Sequence, residues 1–266
     1  MNFGLIVVGD EILSGKRHDK HLVKVAELLG ARGLRLAWAR YLGDERARLA
    51  AALRESFAAP EPVFCCGGIG ATPDDHTRQA AALALGVELE LHPVARERIA
   101  RRCAEMALEG RGTADMSTPE NRQRLKMGEF PRGADVIENP FNGIPGFSIR
   151  EHYFLPGFPS MAWPMIETLL DTRFEHLHHR APSGERALLL YEVAESAAVP
   201  LMEAVEAAHP EAKVFSLPTA GDDGRRRHIE LGVRAPVSIL DAAFAQLERG
   251  ARMLGEVEMI ATPLRK

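Results

Sequence analysis

Residues 66–77 read Cys-Gly-Gly-Ile-Gly-Ala-Thr-Pro-Asp-Asp-His-Thr, and they lie between two contrasting patterns. The short apolar run Val63–Cys66 precedes them, and a helical pattern to about Leu85 follows, with Asp74 as its expected cap. Glycines between a strand and a helix let backbone N–H groups approach an anion, and the helix adds the positive end of its dipole. The stretch therefore predicts a phosphate-binding strand–loop–helix turn of an α/β protein.

Strand and helix patterns alternate on the N-terminal side of this turn. Strand-like runs at residues 3–8, 34–42 and 63–66 are separated by helical patterns at about 19–32 and 44–57. The first run is apolar throughout, as a strand buried on both faces requires. This β-α-β-α-β-α order predicts a mostly parallel sheet covered by helices on both faces.

The pattern changes after a polar segment at about 176–185. A compact β-α-β-β-α order follows, which predicts a second, smaller α+β domain. We therefore expect an α/β domain at residues 1–178 and a small α+β domain at 179–266. Within the first domain, a long helix is expected at about 92–108, and Ser160 is expected to cap a helix that follows another buried strand.

Composition narrows the functional classes. The chain has 266 residues and a net charge of −4, and its longest arginine run is a three-residue turn at 225–227. A nucleic acid needs an extended basic face, so no nucleic-acid partner is expected. No secretory leader or membrane span is recognisable, and three cysteines without a CxxC motif suggest neither a metal nor a disulfide framework. We expect a cytoplasmic protein.

Three acidic segments follow predicted strands: Gly9-Asp10-Glu11, Gly43-Asp44-Glu45 and the loop that ends in Asp74-Asp75. Ligands of parallel sheets bind at the carboxyl ends of the strands, so these segments are expected to converge. Carboxylates beside an anion-binding loop suit Mg²⁺ or Mn²⁺ and attack on a phosphoanhydride. Asp10, Asp44 and Asp75 are the candidate metal ligands, although Asp44 and Asp74 could instead be simple helix caps.

Other nucleotide-binding motifs fit less well. Pro73 occupies the third glycine position of a dinucleotide fingerprint, and no Gly-Lys-Ser/Thr sequence forms a P-loop. Ser14, with Lys16 as a counter-charge, could contribute to an anion site or form an ordinary turn. His21 could face the site or simply pack in the first helix.

Four segments together resemble the competence/damage-inducible protein A family, whose first domain is molybdopterin-binding-like. They are residues 9–15, Gly43-Asp44, residues 67–77 and Leu155-Pro156-Gly157-Phe158-Pro159-Ser160, in the family's order and approximate spacing. The second domain resembles the small domain that follows in this family. The resemblance covers essentially the whole chain.

The resemblance implies a three-layer α/β fold related to enzymes that adenylylate molybdopterin. It implies catalytic roles for Asp44 and Asp75, and metal-dependent hydrolysis of ADP-ribose or similar dinucleotide pyrophosphates with Mg²⁺, Mn²⁺ or Co²⁺. Molybdopterin is a further candidate ligand. The implied substrate-binding residues are Gly67, Gly68, Gly70, Thr72, Ser14, Thr77, Pro156 and Gly157.

Two positions depart from the family pattern: His21 stands where Asn is frequent, and Met161-Ala162 follow Ser160 in place of Glu-Met. The chain ends at Lys266 without the family's amidase domain, so amide hydrolysis is not expected. Three functions stay open. They are a nucleotide pyrophosphatase, a pterin-binding module or molybdopterin adenylyltransferase of molybdenum cofactor biosynthesis, and a regulatory or structural protein with a vestigial site. A homo-oligomer is expected in each case.

Overall fold

A computed structural model describes residues 2–179, 183–219 and 226–260. The chain divides into two compact units, residues 1–178 and 179–266. In the described ranges, no helix is both long and apolar enough to cross a membrane. The predicted arginine turn at 225–227 lies partly outside the described residues, because only Arg226 and Arg227 are included.

The first unit contains eight strands and seven α-helices among its described residues. The strands are β1 Asn2–Val8, β2 Arg35–Leu42, β3 Val63–Cys66, β4 Leu89–Leu91, β5 Glu129–Pro131, β6 Asp135–Ile137, β7 Gly146–Ile149 and β8 His152–Leu155. The helices are α1 Asp10–Leu13, α2 His21–Gly30, α3 Arg46–Phe57, α4 Thr77–Leu85, α5 Pro93–Leu108, α6 Pro119–Leu125 and α7 Pro159–Thr172.

Six of these strands form one sheet in the order β2-β1-β3-β8-β7-β6. The first four run parallel to one another. Strand β7 is antiparallel to β8, and β6 is antiparallel to β7. The prediction of a mostly parallel sheet is therefore confirmed, and its parallel part brings the carboxyl ends of β1, β2, β3 and β8 to one edge.

Side chains of β1 enter two separate cores, one on each face of the sheet. Phe3, Leu5 and Val7 pack with residues of α2 and α7, whereas Ile6 and Val8 pack with residues of α3 and α4. Successive side chains of a strand point to opposite faces, so a strand covered on both faces must be apolar at every position. This packing explains the continuous apolar run and gives the unit three layers.

In its described residues, the second unit is an antiparallel sheet with two helices. Its elements are β9 Ser183–Tyr191, α8 Glu195–Ala208, β10 Lys213–Thr219, β11 His228–Pro236, α9 Val237–Leu254 and β12 Glu256–Met259. The strands pair in the order β10-β11-β9-β12. Leu188 and Leu190 of β9 pack with Phe244 and Leu247 of α9 in a core of its own. Strand β12 was not predicted.

Two predicted helix caps are wrong. Helix α4 begins at Thr77, three residues after Asp74, and His76 stands at its N-cap position without a side-chain bond. Helix α7 begins at Pro159, so Ser160 lies inside its first turn, and Phe158 precedes the helix. In both cases a proline lies next to the predicted cap, and in α7 it takes the first helical position that suits its fixed φ.

Candidate active site at the carboxyl edge of the sheet

A cavity of about 810 Å³ lies where β1, β2, β3 and β8 end. Residues that follow all four strands line it, among them Gly9, Asp44, residues 67–72 and Gly157. A cavity of this volume accommodates a small organic ligand. The position agrees with the rule that ligands of open parallel sheets bind outside the carboxyl ends of the strands.

Only glycine fits at the first two positions of the loop after β3. Gly67 has φ +112° and Gly68 has φ +67°. A Cβ at Gly67 would lie 2.2 Å from the carbonyl oxygen of Val8, and a Cβ at Gly68 would lie 2.2 Å from Thr77 Oγ1. The loop therefore passes directly against β1 and the start of α4, at distances that no larger residue permits.

Hydrogen bonds from α4 hold the carbonyl oxygens of this loop on the protein side. Thr77 donates from Oγ1 to the oxygen of Gly67 at 3.0 Å and from its backbone N–H to that of Gly68 at 3.0 Å. Arg78 Nη2 donates to the oxygen of Gly70 at 2.6 Å. In a trans peptide the N–H of the next residue points opposite to the carbonyl. The N–H groups of Gly68, Ile69 and Ala71 therefore point away from α4.

The amides of residues 68–71 make no hydrogen bond within the described part of the chain. All four residues line the cavity, and two of them are glycines. Consecutive amides without partners form a concave anion site, and backbone N–H groups at a strand–helix junction are suited to phosphate. The loop thus presents unpaired donors to the cavity, and its role as a phosphate site stays a prediction.

Asp75 supports this loop from within. Its Oδ2 accepts hydrogen bonds from the Thr72 backbone N–H at 2.8 Å and from Thr72 Oγ1 at 2.5 Å. The same oxygen would lie 2.5 Å from a Cβ at Gly70. Both Asp75 and Thr72 line the cavity, but one oxygen of the carboxylate is committed to the loop.

Asp44 lies on the β2 side of the cavity beside Asp10. Each residue's backbone N–H donates to the other's carboxylate, at 2.9 Å to Asp44 Oδ2 and 3.2 Å to Asp10 Oδ1. Partial burial raises the pKa of Asp44 above its ordinary value, and the negative charges of Asp10, Glu11 and Asp74 raise it further, against the hydrogen bond from Asp10. Asp44, Glu11 and Asp74 all line the cavity.

The three expected metal ligands do not form one cluster. Among the described residues, no group of three or more His, Cys, Asp or Glu side chains stands close enough to hold a metal ion. Asp10 and Asp44 are joined to each other, whereas Asp75 turns back to Thr72. The residue that adds its charge to Asp44 from the glycine loop is Asp74.

The remaining predicted residues differ in where they lie. Pro156 and Gly157 line the cavity, whereas Ser14 and Thr77 do not. Thr77 is fully buried and acts on the loop from behind. A Cβ at Gly157 would lie 3.3 Å from Gly67 Cα, so these two loops touch. His21 is 4% exposed, and its Nε2 lies 3.0 Å from the Gly157 oxygen, which places it behind the cavity wall.

Sequence reasoning did not assign a second group of wall residues. Asn139 and Asn142 come from the turn-rich loop before β7, and Arg17 and Phe158 also line the cavity. Asn142 Oδ1 accepts from Asn139 Nδ2 at 2.9 Å and from the Ile144 N–H at 3.0 Å. The two asparagines in one short loop were a usable signal, because turn residues with amide side chains often serve ligands as well as turns.

Comparison with known proteins agrees with this architecture. A family model described as a probable molybdopterin binding domain matches residues 4–176. A CinA-like protein of Anaeromyxobacter sp. is 32% identical over 260 residues, with 91% of this chain and 60% of the relative covered. A CinA-like protein of Citrifermentans bemidjiense is 32% identical over 256 residues, with 94% and 57% covered. The chain thus spans about 60% of the length of these relatives.

A solved structure points to the same family. The protein CinA from Thermoplasma acidophilum superimposes with a TM-score of 0.54 at 25% identity, and the match covers 64% of this chain and 98% of that one. The chain therefore belongs to the CinA-like family, the competence/damage-inducible protein A family that its sequence motifs resemble, and carries that family's molybdopterin-binding-like domain.

Proposed function

We propose that the cavity of the first unit binds an ADP-ribose-like nucleotide and that the protein hydrolyses its pyrophosphate bond with the help of a divalent cation. The observation that carries this proposal is that hydrogen-bond donors for an anion and negatively charged carboxylates line the same cavity. The amides of residues 68–71, which have no partner within the described ranges, offer donors to a phosphate, while Asp44, Glu11 and Asp74 offer carboxylate oxygens. Carboxylates beside a bound phosphate weaken its binding, and a cation between the two groups would remove that repulsion.

The donor set suits Mg²⁺ or Mn²⁺, and Co²⁺ is a third candidate. Mg²⁺ in proteins is typically held by one or two carboxylates together with substrate phosphates and water, so a preformed cage of three side chains is not needed. Asp44 and Asp74 are the residues that would hold it, with Glu11 beside them. When bound, the cation would polarise a phosphoryl oxygen and neutralise charge that develops there.

The chain's own residues would supply positioning and charge. The amides of residues 68–71 would hold one phosphate, and Lys16 and Arg17 line the cavity as positive charges. Water would bond to one phosphorus while the bridging oxygen leaves with the other, which gives AMP and ribose 5-phosphate from ADP-ribose. A carboxylate of the acidic group would accept the proton of the water.

The test is release of AMP and ribose 5-phosphate from ADP-ribose, measured by chromatography with Mg²⁺, Mn²⁺ or Co²⁺ and with a chelator. We expect turnover that needs the cation and falls at least about 100-fold in Asp44→Asn, the range typical of a removed electrostatic group. Asp241→Asn is the matched control, because Asp241 is an exposed carboxylate that pairs with Arg186 in the second unit. No release with any of these cations, or full activity in Asp44→Asn, would exclude the proposal.

A second candidate is binding of a phosphate-bearing pterin, with or without adenylyl transfer. Two observations favour it: the family description names molybdopterin, and the described residues hold no ready-made metal cluster. Calorimetry with molybdopterin tests this candidate directly. Saturable binding without any hydrolysis of ADP-ribose would favour it, and addition of ATP would then distinguish a binding module from an adenylyltransferase.

A further inference from the structure

Arg78 is a charged residue in an unusual place. It is 2% exposed and lies behind the glycine loop, at the second position of α4. Its Nη2 donates to the Gly70 oxygen at 2.6 Å, and its Nη1 donates to the oxygen of Lys126. Its Nε is buried and has no hydrogen-bond partner among the residues that the structure describes. The guanidinium is thus held by two carbonyls, and no carboxylate of the described residues pairs with it.

A buried cation without an ion pair is costly, because removing its hydration is not repaid by carbonyl oxygens alone. Burial lowers the pKa of Arg78, while the charges of Glu129 and Asp75 act in the opposite direction. An arginine nevertheless stays protonated near neutral pH, since its ordinary pKa lies so far above it. The fold therefore keeps a positive charge behind the loop. The carbonyl oxygens of Gly70 and Lys126 compensate this charge only in part.

The direction of the Gly70 carbonyl connects this charge to the cavity. Because the Gly70 oxygen points toward Arg78, the N–H of Ala71 in the same peptide points the opposite way. Ala71 lines the cavity, and its N–H has no partner among the described residues. The bond from Arg78 polarises this peptide and so strengthens its N–H as a donor.

We propose that Arg78 is a positioning residue that gives the glycine loop its preference for anionic ligands. It acts through the Gly70–Ala71 peptide, without touching the ligand, and its charge offsets that of a phosphate in the loop. This inference rests on the proposed function only in placing a phosphate at the loop. It does not require that the phosphate be hydrolysed.

The test compares ligands that differ in charge. Affinities for ADP-ribose, pyrophosphate and uncharged adenosine are measured by calorimetry without a metal ion, in wild type, Arg78→Met and Arg78→Lys. We expect Arg78→Met to weaken ADP-ribose and pyrophosphate about 10-fold, equivalent to about 1.4 kcal/mol, and to leave adenosine unchanged. The salt dependence of ADP-ribose binding should become shallower in the same variant.

Arg252→Met is the matched control. Arg252 pairs with Glu248 on α9 of the second unit, so this variant removes the same charge far from the glycine loop in the sequence. Circular dichroism shows whether each variant is folded. Arg78→Lys keeps the charge. Its preference for the anionic ligands over adenosine should therefore be weaker than that of wild type and stronger than that of Arg78→Met. If Arg78→Met does not fold, Arg78→Lys and its salt dependence decide the question.

Several outcomes would overturn the inference. An equal loss for adenosine and ADP-ribose would do so, as would unchanged anion binding in Arg78→Met or a wild-type protein that binds neither ADP-ribose nor pyrophosphate. A folded Arg78→Lys variant without any anion preference would also contradict it. Binding of ADP-ribose without hydrolysis would remove the proposed function and leave the role of Arg78 standing, so the two failures are distinguishable.

Discussion

The backbone N–H of Asp10 donates to the carboxylate of Asp44 at 2.9 Å, and the N–H of Asp44 donates to the carboxylate of Asp10 at 3.2 Å. This exchange ties the second residue after β1 to the second residue after β2, and it fixes Asp44 at the cavity. It also brings two negative charges close together. The cavity therefore contains a repulsion that the fold tolerates and that a bound cation would relieve.

Asp44→Asn should stabilise the protein at neutral pH while it removes metal-dependent activity. The folded protein holds the Asp44 proton more tightly than the unfolded chain, because its pKa is raised above 3.8. The ionised carboxylate therefore lowers stability above the raised pKa and has no such effect well below 3.8. Asparagine still accepts the bond from Asp10. We expect a gain of about 0.5–1 kcal/mol in urea unfolding at pH 7, and little gain at pH 3.

A divalent cation should make wild type more stable than Asp44→Asn. Saturating Mn²⁺ is expected to raise the melting temperature of wild type clearly more than that of Asp44→Asn, since the variant loses one of the two carboxylates proposed to hold the cation. Equal effects of Mn²⁺ on both proteins would show that Asp44 does not hold it. A loss of stability in Asp44→Asn at pH 7 would contradict the expected repulsion.

Gly67→Ala should destabilise the protein strongly. Alanine at φ +112° is strained, and its Cβ would lie 2.2 Å from the Val8 carbonyl oxygen. We expect a loss of about 2–3 kcal/mol in urea unfolding, more than strain at a positive φ alone produces, because backbone atoms must also move. Gly30→Ala is the matched control, since Gly30 lies in α2 with open space around it and should be neutral or stabilising. Similar losses in both variants would rule out the close approach as the cause.

Thr72→Val tests whether Asp75 serves the loop or the cation. Thr72 Oγ1 donates to Asp75 Oδ2 at 2.5 Å, so valine removes one of the two bonds that set the Asp75 carboxylate. If Asp75 acts by holding the loop, Thr72→Val should weaken ADP-ribose binding about 5-fold, as expected from the loss of roughly 1 kcal/mol. The double variant with Asp75→Ala should then be no weaker than Asp75→Ala alone.

Calorimetry without a metal ion supplies the measurement. If the loss of affinity in the double variant equals the sum of the losses in the two single variants, Thr72 and Asp75 act independently. A metal requirement that changes in Asp75→Ala, with unaltered metal-free binding, would restore Asp75 as a metal ligand.

Local patterns were enough for the parallel part of the fold. Continuous apolar strands, helical spacing and glycine stops specify β1, α2, β2, α3 and β3 without reference to distant contacts. The hairpin from β7 to β8 was missed because its turn residues, Arg150 and Glu151, adopt φ +47° and +55° without the Asn or Gly that such turns favour. Helix α6 was missed although Thr118 and Pro119 form a recognisable start.

The sequence predicts one part of the candidate site and not the other. The glycine loop follows from its sequence, since few other functions require glycine at positions 67, 68 and 70 together. The sequence does not show which aspartate would face the proposed cation, because the direction of a carboxylate depends on hydrogen bonds formed in the folded loop. Asp75 accepts hydrogen bonds from Thr72, whereas Asp74, whose pKa is lowered by a hydrogen bond from the Thr72 side chain, adds its charge to Asp44. The contribution of Arg78 could not be predicted either, since it depends on burial.

His152 should make the stability of the protein depend on pH below neutrality. It is 1% exposed, and burial lowers its pKa from 6.5 to about 4. Its Nδ1 lies 3.0 Å from the Arg150 oxygen and its Nε2 2.8 Å from Ser56 Oγ, so the neutral ring is satisfied as it stands. Between pH 6.5 and 4 the unfolded chain takes up a proton that the folded protein refuses, so stability is lost as pH falls. From pH 7 to pH 5 this single group should remove about 2 kcal/mol.

Urea unfolding at pH 7 and pH 5 measures the effect in wild type and in His152→Gln. Other groups titrate over the same range, so the informative quantity is the difference between the two proteins' losses. We expect His152→Gln to be less stable at pH 7, because it gives up ring contacts with Phe57, and to lose about 2 kcal/mol less than wild type on acidification. His176→Gln, which changes an exposed histidine, should follow wild type at both pH values. Equal losses in wild type and His152→Gln would mean that the buried ring binds its proton as readily as an exposed one.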